Sequence, residues 1–209
     1  LPNLEGKSVL HLQCHFGQDS ISLSRMGAKV TGVDLSNDSI SKANELAAIT
    51  NSDAKFICCD VYDLPNHLDG EFDIIFSSYG AICWLPDLNK WAEIVSRFLK
   101  KNGKFIFVEF HPVVGMVDEN LNDLEASYFN AGPIHANREG TYTEGGSTDS
   151  KQFVTWNHSI GEVVNSMIEN GLEINSLKEY DYSPYNCFQR TFEDEPNKFR
   201  IKHKGNNAP

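Results

Sequence analysis

The first half of the chain alternates short apolar runs with segments of helical period. Residues 7–12 read as a strand, and 18–26 as a helix with Gln18 and Asp19 in its first turn and Gly27 as its stop. Residues 29–33 form a second strand closed by Asp34. Ser36 can cap the next helix, whose apolar stripe is Ile40, Ala43, Leu46 and Ala47. Residues 55–59 are a third strand and 72–77 a fourth, whose continuous apolar run suits a parallel strand covered on both faces. Leu88, Trp91, Ile94, Val95, Phe98 and Leu99 recur at helical spacing up to the stop at Asn102 and Gly103, and 104–110 give a fifth strand. Strands alternating with helices across short loops predict an α/β fold: a doubly wound, mostly parallel sheet with helices on both faces and the first strand central.

After residue 110 the rhythm breaks. Residues 111–158 carry many glycines and aromatics, and a stretch of that length fits a substrate-side insertion or lid after the fifth strand. Ile160, Val163, Val164, Met167 and Ile168 then give a helical stripe ended by Gly171, and 172–180 reads as a sixth strand. Lys198, Arg200, Lys202 and Lys204 alternate with Phe199, Ile201 and His203, as in a half-buried edge strand; an anion-binding patch is the rival reading. The expected organisation is a core at 1–110, an insertion at 111–158, and a helix with strands at 159–209 completing the same domain.

Composition narrows the function. The 209 residues include 18 Lys and Arg against 29 Asp and Glu, a net charge of −11. That balance argues against a general nucleic-acid binder, which needs clustered cations for phosphate. No apolar run approaches the roughly 18–20 residues of a membrane span, so no membrane partner is expected. Five cysteines, Cys14, Cys58, Cys59, Cys83 and Cys187, are an odd number and suit reduced thiols in a cytoplasmic protein. The chain opens on Leu1 and closes on Pro209, so it is expected to be part of a slightly longer protein, with a segment before Leu1 and a further strand after Pro209.

The loops at the strand C-termini carry the chemistry of such a sheet. After the first strand come Gln13, Cys14, His15, Phe16 and Gly17; after the second, Asp34 and Leu35; after the third, Asp60 and Val61; after the fourth, Ser77 and Ser78. A carboxylate at the second strand end can accept two hydrogen bonds from ribose hydroxyls. Asp60 can accept from an adenine amino group while the Val61 N–H faces the ring. Either acid alone could be only a strand or helix cap. Both at neighbouring strand ends point to an adenosine site.

These stretches resemble class I S-adenosylmethionine-dependent methyltransferases, over residues 7–110 and again over 156–180. The matching segments are VLHLQCHFG at 9–17, VTGVDLS at 30–36, FICCDV at 56–61, FDIIFSS at 72–78 and LKKNGKF at 99–105. The resemblance implies a Rossmann-like sheet, S-adenosylmethionine as cofactor and a small-molecule methyl acceptor. It gives the first loop (Gln13, Cys14, Gly17) the methionine end of the cofactor, Asp34 and Leu35 the ribose, Asp60 and Val61 the adenine, and Ser77 a place beside the methionine. The family loop reads acidic-x-Gly-x-Gly-x-Gly, whereas this chain has His11, Gln13, His15 and Gly17 at those positions. The variant HLQCHFG resembles a small-molecule branch of the family. Gln13 and His15 must then fit backbone angles that glycine tolerates more readily.

Rival readings remain. A nicotinamide oxidoreductase needs Gly-x-Gly-x-x-Gly after the first strand, and Gln13, His15 and Gln18 stand there instead. A non-catalytic adenosine-nucleotide-binding protein would keep the same pocket. A zinc site at His11, Cys14 and His15 is disfavoured because a strand residue and its exit loop point in different directions, so no metal is expected. Cys58 and Cys59 are expected in the core. Tyr79, Trp84, His111, Tyr128, Phe129, His135, Tyr142, Trp156 and His158 are the acceptor-side candidates, and His111, just past the fifth strand, is the expected general base. Truncating Asp34 to Ala is expected to lower cofactor affinity with little change in stability.

Overall fold

The computed structural model describes residues 2–118, 122–139, 150–187 and 190–201. Tyr142, Lys202, His203 and Lys204 lie outside the described residues, as do Gly140, Gly145 and Gly146 of the glycine-rich stretch. The chain divides into two compact units, Leu1–Phe110 with Glu162–Glu173, and His111–Gly161 with Ile174–Pro209.

The first unit is built on five parallel strands: β1 (Ser8–Leu12), β2 (Lys29–Asp34), β3 (Lys55–Cys58), β4 (Phe72–Ser78) and β5 (Leu99–Val108). Their order is β3-β2-β1-β4-β5, with β1 central as the sequence implies. Successive residues of β1 point to opposite faces. Val9 joins a cluster with Ile21 and Leu23 of α1 (Gln18–Arg25) and Ala47 of α2 (Asn37–Thr50). Leu10 and Leu12 join the larger cluster with Trp91, Ile94, Val95 and Phe98 of α3 (Leu88–Phe98) and Met167 of α4 (Ile160–Glu169). The sheet is thus covered on both faces.

The caps follow the sequence. Ser36 Oγ accepts from the Ser39 N–H at 3.2 Å and opens α2. Asp87 Oδ1 accepts from the Lys90 N–H at 3.0 Å and opens α3. Asn102 and Gly103 do not end α3, which stops at Phe98. They form a bulge in β5, whose register against β4 shifts between Phe72 and Ile74. In α4 the inward positions are Val163, Ser166 and Met167, while Ile168 is exposed.

The expected strand at 172–180 is absent, and the segment has no regular structure. Its apolar residues explain why: Leu177 and Tyr180 are more than 60 % exposed, so no buried face holds a strand in register. Within the second unit β6 (Ile134–Glu139) pairs antiparallel with β7 (Ser150–Thr155), and β8 (Thr191–Glu195) with β9 (Lys198–Ile201). The alternation around Lys198 is therefore one arm of a hairpin. There Arg200 bonds Asp181 and Asp194 and lies over the Tyr182 ring. Among the described residues, no helix is long and apolar enough to cross a membrane.

Candidate active site

The first loop keeps the glycine-rich conformation with other residues. Gln13 has φ 51°, His15 φ 50° and Gly17 φ 71°. Alternate residues are left-handed, although two carry side chains that disfavour it by roughly 1–2 kcal/mol each. Specific contacts offset that strain. Gln13 Nε2 donates to Ala81 O at 3.3 Å, and the His15 N–H donates to Asp34 Oδ2 at 2.8 Å. The His15 ring lies on Phe16, with centroids 3.7 Å apart. Burial lowers the His15 imidazole from its ordinary value, against the pull of Asp34.

Gly17 serves the interior of the unit. A Cβ there would sit 2.6 Å from the Phe56 ring and 2.9 Å from Ala43 Cβ. The same position opens α1 with no side-chain cap. Cys14 is turned inward: its thiol packs against Gly32, its N–H donates to Val33 O at 2.9 Å, and burial pushes its pKa up to about 12. A thiol so held is a poor nucleophile or metal ligand.

Asp34 joins the first two loops. Oδ2 accepts from His15, and Oδ1 accepts from the Ser36 N–H at 2.9 Å. A carboxylate offers about four lone-pair directions, so two remain for a ribose diol. Leu35, beside it, is 70 % exposed. Asp60 is exposed and caps a short turn at Val61–Asn66, with Oδ1 accepting from the Tyr62 N–H at 2.9 Å. Among the described residues the second carboxylate oxygen has no such bond. Val61, the next residue, is buried. Contrary to expectation, Cys58 is exposed, and its thiol donates to Leu35 O; only Cys59 is buried.

Ser77 is fully buried, and its Oγ has no hydrogen-bond partner among the described residues. Gln13 Oε1 is likewise buried without a donor. Buried polar atoms are seldom left unpaired, so two of them at the ends of β1 and β4 fit a polar ligand group there. This fits the methionine end of S-adenosylmethionine better than a pyrophosphate, because the space a Cβ at Gly17 would fill belongs to Phe56 and Ala43 and not to a ligand.

Three features had little sequence signal. His11 is buried, and its Nδ1 meets Ser20 Oγ at 2.8 Å, tying β1 to α1. Burial lowers its pKa to about 3, so the ring is neutral. Glu109 accepts from the N–H groups of Gly80, Ala81, Ile82 and Phe110. Tyr79, at φ 46°, begins the sharp exit from β4 that Glu109 fastens. An acid inside the FVEFHP run is visible in the sequence, but its four partners are not.

His111 belongs to the second unit. Its Nδ1 accepts from the Val113 N–H at 3.2 Å, which places the ring proton on Nε2, and Nε2 meets Glu179 Oε1 at 2.7 Å. Nearby, Asn157 Nδ2 donates to Pro112 O and Ser127 O, and the Tyr128 hydroxyl accepts from the Ile160 N–H. Asn157 therefore ties the backbone at Pro112 to that at Ser127.

Residues 9–103 match the family described as a methyltransferase domain. A Haemophilus influenzae protein described as uncharacterized is 27 % identical over 194 residues, covering 86 % of this chain and 72 % of its own length. The sterol 4-C-methyltransferase of Caenorhabditis elegans is 31 % identical over 104 residues, covering 49 % of this chain and 30 % of its own. The crystal structure of an S-adenosylmethionine-dependent methyltransferase from Mesorhizobium loti shares the fold. Its TM-score is 0.62 at 21 % identity, covering 87 % of this chain and 81 % of that one.

Proposed function

We propose that the chain, whose residues 9–103 match a methyltransferase domain, transfers a methyl group from S-adenosylmethionine to a small-molecule acceptor. The observation that supports the cofactor site most is the pairing of Asp34 with a first loop left-handed at residues 13, 15 and 17. We assign the ribose diol to the two remaining lone-pair directions of Asp34, with Leu35 as its apolar neighbour. Asp60 and the Val61 backbone take the adenine. Gln13, Gly17 and Ser77 take the methionine end, with Cys14 shaping the loop from beneath. The HLQCHFG loop is the mark of the small-molecule branch proposed for this chain.

The bound cofactor supplies a methyl group that is electrophilic because it sits on a sulfonium. The protein's work is then to align the acceptor and exclude water. We assign acceptor recognition to 111–158, on the strength of Tyr128, Phe129, His135 and Trp156. His111 is the proposed general base where the acceptor must lose a proton. Nδ1 would take that proton in place of the Val113 N–H, and Glu179, already on Nε2, would stabilise the imidazolium. A net charge of −11 opposes nucleic-acid acceptors, and five free thiols favour a reducing, cytoplasmic setting.

Calorimetry with S-adenosylhomocysteine and NAD, followed by transfer of a labelled methyl group over a metabolite panel, tests the reading. Binding of S-adenosylhomocysteine alone, with label in a small product, is the expected result. Binding without transfer to any acceptor would instead favour a non-catalytic nucleotide-binding protein. A His111→Asn variant should lower kcat for an acceptor that sheds a proton and leave S-adenosylhomocysteine affinity unchanged.

A further inference from the structure

We propose that Glu109, the Ala81 carbonyl and Gln13 form a relay that holds the amino-acid end of the cofactor, with Gln13 Oε1 accepting from its ammonium group. The inference rests on the cofactor reading above and adds to it two positioning elements and the Gln13 atom that makes the contact.

The relay starts at the end of β5. The Glu109 carboxylate accepts from four N–H groups: those of Gly80, of Ala81 at 2.8 Å, of Ile82 at 3.1 Å and of Phe110 at 2.7 Å. Three consecutive donors on one charged group fix the direction of that stretch of chain. The stretch is also pinned at its start, where the Tyr79 N–H donates to Val108 O at 2.7 Å and Tyr79 and Gly80 are both left-handed. The path of the chain from 79 to 82 is therefore set by β5, and with it the position of the Ala81 carbonyl.

That carbonyl accepts from Gln13 Nε2 at 3.3 Å. Once Nε2 is committed, the direction of Oε1 is fixed as well, because the amide is planar. Oε1 is buried and has no donor among the described residues. Gln13 occupies a left-handed position where glycine would be less strained, yet glycine could offer neither the tether nor the acceptor. A cationic N–H donor is the partner that a fixed, unpaired amide oxygen fits best. Of the cofactor's parts, only its amino-acid end carries one.

Calorimetry with two probes tests the relay: S-adenosylhomocysteine, and methylthioadenosine, which keeps the nucleoside and lacks the amino-acid end. Gln13→Asn tolerates the left-handed backbone but is too short to reach Ala81. Glu109→Gln keeps the size of the side chain and replaces one acceptor oxygen with a donor. Each should weaken S-adenosylhomocysteine by about tenfold or more, as for loss of a charged hydrogen bond, and leave methylthioadenosine unchanged. The double variant should be no worse than the weaker-binding single, because both act on one contact. Equal losses for the two ligands, no loss for S-adenosylhomocysteine, or additive losses would overturn the relay. If Glu109→Gln does not fold, Gln13→Asn decides alone by the same two-ligand comparison. A wild-type protein that binds neither ligand removes the cofactor reading and the relay together. One that binds both, with variants that do not discriminate, removes the relay only.

Discussion

The His15 N–H donates to Asp34 Oδ2 at 2.8 Å. The acid that ends β2 therefore holds a left-handed residue of the loop that ends β1. The proposed ribose contact and the loop conformation therefore share one side chain. Asp34→Ala should lower S-adenosylhomocysteine affinity by about 10- to 100-fold. It should also destabilise the fold by about 1–3 kcal/mol, since the N–H groups of His15 and Ser36 lose their acceptor. The second effect differs from the expectation, from sequence, of little change in stability, because the His15 bond was not foreseen there. Calorimetry and urea unfolding on the same variant check both, and a destabilised variant with unchanged affinity would leave Asp34 as a structural cap.

Gly17→Ala should be among the most damaging single-methyl changes in this unit. The new Cβ meets the Phe56 ring at 2.6 Å at a residue whose φ is 71°. Left-handed strain and overpacking together suggest a loss of roughly 2–4 kcal/mol. A double variant with Phe56→Leu should recover the packing part, measured as the urea midpoint. No recovery would assign the whole loss to backbone strain.

The sheet was legible because each of its strands is an apolar run with a helix or turn signal on both sides, and β1 central follows from the crossovers such a pattern allows. The strand ends then placed Asp34 and Asp60 correctly at neighbouring positions. What was not legible depends on contacts across long separations. Glu109 meets Gly80, Ala81 and Ile82 from 27 to 29 residues away. No spacing rule links a strand-end acid to three consecutive backbone donors. His11 reads as a polar interruption of an apolar run; its partner Ser20 depends on how α1 docks on β1. The failed strand at 172–180 had alternation enough to resemble one, but Ile174, Leu177 and Tyr180 are exposed.

Stability should fall in mild acid because of His11. Its imidazole titrates near 3 when folded and near 6.5 when unfolded. Below about pH 6.5 the unfolded chain takes up a proton that the native state refuses, so stability is lost progressively down to about pH 3. The slope is at most about 1.4 kcal/mol per pH unit for one group. Replacing the pair by His11→Leu with Ser20→Ala removes this component without leaving the serine unpaired. The urea midpoint of the double variant should fall less between pH 7 and pH 5 than that of the wild type; equal falls would place the sensitivity elsewhere.

A second acid-sensitive site lies where β1 and β4 begin and acts at lower pH. Asp73 Oδ2 accepts from the Ser8 N–H at 2.9 Å and the Ser8 hydroxyl at 2.8 Å, and Lys100 Nζ lies 3.1 Å from Oδ1. The Ser8 bonds first, and Lys100 after them, hold this carboxyl well below the usual carboxylate range. A group depressed in the folded state contributes stability above its unfolded pKa, about 3.9 for Asp, and loses it as pH falls further. Asp73→Asn should therefore unfold at lower urea than the wild type at pH 7, and the gap should narrow only below about pH 4. Between about pH 6.5 and pH 4 His11 acts alone, so the two contributions separate on one pH series. A gap that stayed constant down to pH 3 would mean that the Asp73 side chain stabilises β1 against β4 by shape and neutral hydrogen bonding, with no contribution from its charge.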